Sequence, residues 1–391
     1  MKYALLVGDG MADWPVPLLN NRTPLECART PNMDRVVAKG TLGLVSTVPS
    51  GMQPGSDVAN LSLLGYDPAR YYSGRAPFEA ASMGISLTES ETAFRCNLVT
   101  IENEIMIDYS AGHITTGEAQ RIVGDLQQHL STDSIRFYPG VSYRHLMVCR
   151  DFPGGTQCTP PHDITGKPIQ SYLPQGNGSE LLLRLMKQAR ALLPQSAVNN
   201  ERRAQGKSPV TDIWLWGQGR SLSLPTIPQR YGIQGSVISA VDLVRGLGVL
   251  AGLKIRIVDG ATGYLGTNYA GKIAAALAAL ETEDMVYLHV EAPDETGHEG
   301  VLQKKIQAIE EFDRFIVGEM LAYQDRIEDV RILVAPDHAT PLAIKTHSGE
   351  PVPFAICGPG VKPDKYAAFN EPEARQCVPI TGPELFDRFI K

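Results

Sequence analysis

Short apolar runs that end abruptly in polar residues recur near both ends of the chain. They cover 3–8, 285–291 and 332–335, and an aspartate follows each within a few residues. An uninterrupted apolar run is typical of a strand buried on both faces, as in a parallel sheet. Stretches with helical spacing of apolar residues separate them, most clearly over 302–322. The pattern predicts an α/β fold with a mostly parallel sheet flanked by helices.

The middle of the chain has a different pattern. Residues 94–101 and 104–110 predict an antiparallel hairpin, Thr115 opens a helix with a capping-box pattern, and 180–193 predicts an amphipathic helix. Strands and helices that come in runs, without β-α-β alternation, indicate an α+β segment. We therefore expect a discontinuous core made of 1–90 and 236–391, and an inserted α+β domain at 91–235.

The composition is that of a globular protein with enough apolar residues for a large core. The chain has 391 residues, of which 43% are hydrophobic and 20% charged, and its formal net charge of -7 argues against nucleic-acid binding. No apolar run is long enough to span a membrane, and the first apolar run is too short for a signal peptide. The six scattered cysteines, without a C-x-x-C pair, indicate reduced thiols. We expect a cytoplasmic protein whose oligomeric state is open.

Aspartates and histidines cluster beyond the predicted strand ends. In chain order they are Asp9, Asp294, His298, Asp337, His338 and His347. Each histidine alone is more often a hydrogen-bonded loop residue, so the case for a metal is joint. Carboxylate and imidazole donors without thiolates suit Mn²⁺, Zn²⁺, Co²⁺ or Mg²⁺, and this set is large enough for two adjacent ions. His289 lies inside a strand run, and we interpret it as a satisfied core histidine.

Ser56 stands where a helix is predicted to begin, directly after Pro54 and Gly55. One interpretation is an N-cap, whose hydroxyl satisfies a backbone N–H. The other is a nucleophile, since a helix amino terminus stabilises both an attacking alkoxide and the phosphate it acquires. The spacing does not decide between them.

Several motifs resemble those of a known family, the archaeal-type branch of the cofactor-independent phosphoglycerate mutases, within the alkaline phosphatase superfamily. They are GDGMAD (8–13), TPNMD (30–34), PGSDVANLSLLGYDP (54–68), YSGRAPFEA (72–80), APDETGHEG (292–300), PDHATP (336–341) and THSGEPVPF (346–354). The resemblance extends over essentially the whole chain and is looser in the insert, for example at 200–207. It implies an alkaline-phosphatase-like sandwich of mostly parallel sheet flanked by helices.

The resemblance also implies an isomerase of glycolysis and gluconeogenesis, which interconverts 3-phosphoglycerate and 2-phosphoglycerate through a phosphoserine at Ser56. Such an enzyme uses two divalent ions, Mn²⁺ foremost, and no 2,3-bisphosphoglycerate. The set implied for one ion is Asp9, Ser56, Asp337 and His338, and the set for the other is Asp294, His298 and His347. The insert would close over a small phosphorylated substrate. Its candidate substrate-binding residues are His162, Asp163, Arg144, Arg202, Arg203 and Arg220.

Other functions remain open at this point. Long bacterial mutases carry Ser-Glu-Val-Gly-His where this chain has SDVAN (56–60), so one histidine is missing. Bacterial proteins that share GDGMADW and GMQPGSDVAN with this chain include some proposed to be homoserine kinases of threonine biosynthesis. The stretch 266–272 fits G-x₄-G-K, but Ile273 stands where a P-loop needs Ser or Thr. A two-metal phosphatase and a non-catalytic binding module complete the alternatives.

Overall fold

The three apolar runs predicted as buried strands lie side by side in an eight-stranded sheet of the computed structural model, which describes every residue from Met1 to Lys391. The strands, in chain order, are β1 Lys2–Gly8, β2 Gly40–Ser46, β3 Glu91–Glu102, β4 Ile105–Asp108, β5 Ile135–Val141, β6 Arg144–Arg150, β7 Thr156–Gln157, β8 Gln175–Gly176, β9 Asp212–Arg220, β10 Gly235–Ile238, β11 Lys254–Ile255, β12 Met285–Val290, β13 Val330–Ala335, β14 Val352–Cys357 and β15 Ile380–Thr381. Their order across the large sheet is β11-β10-β12-β1-β13-β14-β2-β15. All neighbours pair in parallel except β14, which is antiparallel to β13 and to β2. The expected α/β class is confirmed.

Helices cover this sheet and share one large apolar core with it. The α-helices, in chain order, are α1 Pro24–Cys27, α2 Pro31–Ala38, α3 Ser56–Leu63, α4 Pro68–Tyr71, α5 Ala76–Ser82, α6 Thr116–Leu130, α7 Ser179–Leu192, α8 Ala197–Ala204, α9 Ile227–Tyr231, α10 Asp242–Leu250, α11 Tyr269–Thr282, α12 Ala292–Glu299, α13 Leu302–Phe312, α14 Gly318–Gln324, α15 Glu371–Ala374 and α16 Gly382–Ile390. Short 3₁₀ helices lie at Pro17–Leu19, Pro161–Ile164, Gln170–Tyr172 and Leu193–Gln195. Val36 of α2, Ile273 of α11 and Phe312 of α13 share a core with Leu6 of β1. The helix predicted over 302–322 is present with a π-helical turn between α13 and α14.

By its internal contacts the chain divides into two compact units. The first comprises Met1–Tyr72 and Ser223–Lys391, and the second comprises Ser73–Leu222. In the second unit, β4, β3, β6 and β5 form an antiparallel sheet, and β9 also pairs with β3. Helices α6 and α7 cover it through a core that includes Leu126 and Leu185. The hairpin predicted from 94 to 110 is present as β3 and β4, and the capping box predicted at Thr115 is present at the start of α6.

Two short strands form the edges of the large sheet. Strand β11 covers only Lys254–Ile255 and pairs with β10 alone. Strand β15, Ile380–Thr381, adds a short parallel edge beside β2.

Three neighbouring strands end at the same edge of the large sheet. Gly8 at the end of β1 pairs with Val290 at the end of β12, and Val7 pairs with Ala335 at the end of β13. Because parallel strands share their direction, the three segments that follow them leave the sheet together. None of the helices combines the length and the apolar character needed to cross a membrane.

Candidate metal centre

The three strand ends bring three buried aspartates together: Asp9 after β1, Asp294 after β12 and Asp337 after β13. The close approach depends on Gly10, whose φ of +60° lies in the left-handed region. A Cβ on Gly10 would lie 2.6 Å from Asp294 Oδ1 and 2.5 Å from Thr340 Oγ1. Only glycine therefore lets the segment after β1 pass so close to Asp294.

Asp294, His298 and His347 form the more accessible group of the centre. The stretch after β12 is helical, so Asp294 and His298 lie on one side of α12, with His298 Nε2 3.2 Å from Asp294 Oδ2. His347 Nε2 lies 3.0 Å from His298 Nε2 and 3.5 Å from Asp294 Oδ1. The other ring nitrogen of His298 contacts the Lys345 carbonyl at 3.0 Å, which orients Nε2 toward the group.

The pKa shifts in this group favour an ionised Asp294 beside a protonated His298. Burial opposes ionisation of Asp294, but hydrogen bonds from His298 and His347 outweigh it and hold the pKa of Asp294 well below its ordinary value. Burial acts to lower the pKa of His298, but its hydrogen bond to Asp294 raises that pKa to about 9. A carboxylate is thus held in its ionised, metal-binding form.

Asp9, Asp337, His338 and Ser56 form a second, deeper group. His338 Nε2 lies 3.5 Å from Asp9 Oδ1, 3.5 Å from Asp337 Oδ2 and 3.2 Å from Ser56 Oγ. Burial, followed by the nearby Asp337 carboxylate, raises the pKa of Asp9 well above its ordinary value. Burial also lowers the pKa of His338, which keeps its ring neutral. A cation beside Asp9 would favour the ionised form of this carboxylate.

A network of hydrogen bonds fixes Asp337. Its Oδ1 accepts the N–H groups of Gly10 at 3.1 Å and His338 at 2.8 Å, and its Oδ2 accepts Asn60 Nδ2 at 2.7 Å. The same amide nitrogen donates to the Ser56 carbonyl at 2.8 Å, and Tyr287 donates its hydroxyl to the amide oxygen. Asn60, which the sequence marks only as the place of a missing histidine, thus orients two members of the group.

Ser56 is the first residue of α3, and its hydroxyl faces the metal centre. The N-cap of α3 is Gly55, and no side chain caps the helix. The N-cap interpretation of Ser56 is therefore wrong. The hydroxyl contacts His338 Nε2 at 3.2 Å, so the start of α3 presents an oxygen to the deeper group.

The sequence pattern does not identify His289 as a member of the metal centre. It is buried, as expected of a core histidine, but its Nε2 has no hydrogen-bond partner and lies 3.0 Å from Asp9 Oδ2. Burial lowers the pKa of His289 to about 4, so the ring is neutral. The one feature of the sequence that could have identified His289 is its position near the end of the strand that leads to Asp294. The interpretation of His289 as a core histidine with all its hydrogen bonds made is therefore wrong, because Nε2 makes none.

The residues present fit divalent cations. Three overlapping groups have all their ligand atoms within 4.8 Å of one another: Asp294, His298 and His347; Asp9, His289 and Asp337; and Asp9, Asp294 and His338. Asp9 Oδ1 is buried without a hydrogen-bond partner. Hard carboxylate oxygens together with imidazole nitrogens are donors that Mn²⁺, Co²⁺ and Zn²⁺ accept. The overlap through Asp9 and Asp294 suits two adjacent ions.

The predicted substrate residues lie in the second unit. His162 and Asp163 are exposed on the 3₁₀ helix Pro161–Ile164, and the His162 ring meets Trp216 edge-on at 5.3 Å. Arg144 is exposed at the start of β6.

Of the other three predicted arginines in this unit, two are exposed and one is buried. Arg220 is exposed and donates to the Phe152 carbonyl at 3.2 Å. Arg203 of α8 is exposed. Arg202 is only 1% exposed, and its guanidinium donates to Glu118 at 2.9 Å and to the Ala111 carbonyl at 2.6 Å. The donors of Arg202 therefore hold α8 in place within the unit.

Comparison with known proteins adds to these observations. A family model described as 2,3-bisphosphoglycerate-independent phosphoglycerate mutase matches residues 38–199. A protein of that name from Methanosarcina mazei is 54% identical over 358 residues, which are 91% of this chain and 90% of that one. One from Methanothrix thermoacetophila is 54% identical and covers 96% of this chain and 95% of its own. A protein from Geobacter sulfurreducens named as a probable enzyme of this type is 50% identical, with the same coverage of 96% and 95%.

Two solved structures are similar to the whole chain. A protein of Pyrococcus horikoshii is 30% identical with a TM-score of 0.83, over 100% of this chain and 97% of that one. The cofactor-independent phosphoglycerate mutase of Thermoplasma acidophilum is 25% identical with a TM-score of 0.67, over 100% and 99%. The similarity therefore includes both units.

Proposed function

The chain belongs to the 2,3-bisphosphoglycerate-independent phosphoglycerate mutase family, and we therefore propose that it interconverts 3-phosphoglycerate and 2-phosphoglycerate in glycolysis and gluconeogenesis. The resemblance seen in the motifs is confirmed, as is the expected enzyme class, an isomerase that acts as an intramolecular phosphotransferase. One observation carries the proposed mechanism. The Ser56 hydroxyl, at the start of a helix, borders a group of buried carboxylates and imidazoles that fits divalent ions.

The proposal includes two divalent ions, with Mn²⁺ as the first choice, and no 2,3-bisphosphoglycerate. Asp9, Ser56, Asp337 and His338 would hold one ion, and Asp294, His298 and His347 the other. Divalent cations bound by these residues would neutralise charge on phosphoryl oxygens and would favour the ionised form of the Ser56 hydroxyl. The orphaned Asp9 Oδ1 and the raised pKa of Asp9 support a cation at the deeper group.

Ser56 is the proposed nucleophile. Its Oγ attacks the phosphorus of 3-phosphoglycerate in line, forming the Oγ–P bond as the bond from phosphorus to O3 of glycerate breaks. The 2-hydroxyl of the same glycerate then attacks the phosphoserine, which restores Ser56. O3 gains one proton and the 2-hydroxyl loses one, so the cycle is neutral overall. The partial positive charge at the start of α3 favours both the alkoxide and the phosphoserine.

Asn60 and Asp337 are proposed to keep the nucleophile in place. Asn60 Nδ2 donates to both the Ser56 carbonyl and Asp337 Oδ2, which links the first turn of α3 to the segment after β13. Thr47 donates to the Asp337 carbonyl at 2.6 Å, which adds a third anchor. A pre-positioned nucleophile avoids the entropic cost of orienting it during the reaction.

For the second unit, the proposal assigns substrate recognition to exposed polar side chains. His162, Asp163, Arg144, Arg203 and Arg220 are the candidates, since arginine forks pair with phosphate and carboxylate groups. Arg202 is not retained as a candidate, because its buried guanidinium donates to Glu118 and to the Ala111 carbonyl. We also propose that the protein is cytoplasmic, as expected of an enzyme of glycolysis.

A ³¹P NMR assay tests the function. The purified protein with Mn²⁺ is given 3-phosphoglycerate alone and, separately, ATP with homoserine. We expect 2-phosphoglycerate in the first reaction and no phosphohomoserine in the second, and Ser56→Ala serves as the inactive control. Phosphohomoserine would identify a kinase, and free phosphate without 2-phosphoglycerate a phosphatase. Either result would contradict the proposal.

A further inference from the structure

His289 is an unexplained buried histidine at the metal centre. It is the penultimate residue of β12, pairs in register with Val7 of β1, and is 0% exposed. We propose that His289 Nε2 is a direct ligand of the ion at the deeper group, beside Asp9 and Asp337. This assignment rests on the proposed two-ion site and adds a donor to it.

The contact between His289 and Asp9 carries the assignment. Their atoms Nε2 and Oδ2 are 3.0 Å apart, yet Nε2 has no hydrogen-bond partner, so its N–H direction does not point at that oxygen. Two ligands of one ion lie at about this separation, since bonds of about 2.1 Å at right angles place them about 3.0 Å apart. Asp9 and Asp337 both lie with His289 in one group of potential ligands.

The other ring nitrogen supports the tautomer that a metal ligand needs. His289 Nδ1 contacts Ser239 Oγ at 3.2 Å, and the same oxygen accepts the Val241 N–H at 3.0 Å. When Nδ1–H donates to Ser239, Nε2 carries a free lone pair. In the opposite tautomer, Nε2–H would be buried without an acceptor, which is unfavourable.

The surroundings hold the ring in this orientation. Lys272 has a buried side chain and donates its ammonium to the His289 carbonyl at 3.0 Å. Arg245 Nε donates to the Ser239 carbonyl at 2.8 Å. Both the backbone of His289 and the acceptor of its Nδ1 are therefore anchored, as is typical of a pre-organised ligand.

A consequence concerns the two ions. With His289, the deeper ion has five candidate donor residues and the more accessible ion has three. We therefore expect the deeper site to bind its ion more tightly than the accessible site does. Five donors also suit the higher coordination numbers of Mn²⁺ and Co²⁺ better than the four-coordinate, tetrahedral geometry that Zn²⁺ prefers.

Metal binding to His289→Gln tests the assignment without an activity assay. Co²⁺ titrations are followed by absorption and calorimetry, with His145→Gln as the matched control, because His145 is equally buried but lies in the second unit. We expect His289→Gln to bind one of the two ions about 100-fold more weakly, with altered d–d bands, since loss of an outer partner alone weakens binding about 10–100-fold. Unchanged bands, with or without weaker binding, would overturn direct ligation.

The wild-type protein gives an answer even if His289→Gln fails to fold. Protein labelled with ¹⁵N-histidine is loaded with ¹¹³Cd²⁺, and each ligating imidazole splits the cadmium resonance. We expect two couplings at the deeper ion, from His338 and His289. A single coupling there would overturn the assignment. Two couplings in a protein that makes no 2-phosphoglycerate would sustain the assignment and refute the proposed function, so the two failures are distinguishable.

Discussion

Lys305 is a fully buried lysine behind the metal centre, and its replacement should destabilise the first unit strongly. Its ammonium donates to Asp13 Oδ2 at 2.7 Å, to the Ala12 carbonyl at 3.2 Å and to the Thr340 carbonyl at 2.7 Å. The side chains of Lys305 and Asp13 are 0% and 1% exposed. The lysine therefore ties together the segments after β1 and β13, which carry Asp9 and Asp337.

Lys305→Met keeps the apolar stem and removes the charge. Asp13 then remains buried with only backbone donors, the N–H groups of Trp14 at 2.7 Å and Leu342 at 3.2 Å. The Ala12 and Thr340 carbonyls each lose one donor, although the Ala12 carbonyl keeps the Thr340 N–H at 3.1 Å. Breaking one side of a buried ion pair costs about 3–5 kcal/mol. A loss of about 4 kcal/mol raises the population of the opened state about 1000-fold.

Native-state hydrogen exchange of β1 and β13 in the metal-free protein measures this loss directly, because central strands exchange through opening of their own unit. Lys304→Met is the matched control, since Lys304 is the preceding residue, is 42% exposed and pairs with Glu299 at the surface. The control should leave exchange unchanged.

A double-mutant cycle with Asp13→Asn completes the test. The two single changes should each destabilise the unit, and the double variant should lose less than their sum by about 2 kcal/mol. The reasoning is refuted if Lys305→Met stays within about 1 kcal/mol of wild type, the range of a surface pair.

Three further changes test other parts of the account. His347→Ala should lower the bound Mn²⁺ measured after dialysis from about two ions to about one per chain, while two retained ions would contradict the division into groups. Asn60→Leu should lower kcat more than it raises KM, because it removes the hydrogen bonds that hold the Ser56 carbonyl and Asp337 in place; an unchanged kcat counts against this role. Burial lowers the pKa of His145 from 6.5 to about 4, so its contribution to stability is full above pH 6.5 and falls as the pH approaches 4. His145→Gln should therefore reduce, by about 3 kcal/mol, the decrease in the free energy of unfolding between pH 6.5 and pH 4, as measured by urea unfolding. If the free energy of unfolding of the variant depends on pH as that of the wild type does, this role of His145 is refuted.

Much of the fold could be predicted because its signals are local. The apolar runs that became β1, β12 and β13 are contiguous, and the four-residue spacing of Asp294 and His298 places both on one side of α12 wherever the helix packs.

What could not be predicted depends on contacts between distant segments. His289 has the local pattern of a core residue, and only the parallel pairing of β12 with β1 places Asp9 beside it. The role of Lys305 likewise depends on Asp13, which is distant in sequence. Ser56 was ambiguous because both an N-cap and a nucleophile favour the start of a helix, and only the backbone identifies Gly55 as the cap.

Trapping of the phosphoenzyme tests the central claim most directly. The protein is mixed with Mn²⁺ and 3-phosphoglycerate, quenched within one turnover, digested and analysed by mass spectrometry. The account predicts one phosphoryl group on Ser56 of the wild-type protein, and neither phosphoserine nor 2-phosphoglycerate from Ser56→Ala. Formation of 2-phosphoglycerate by Ser56→Ala at the wild-type rate would contradict the account.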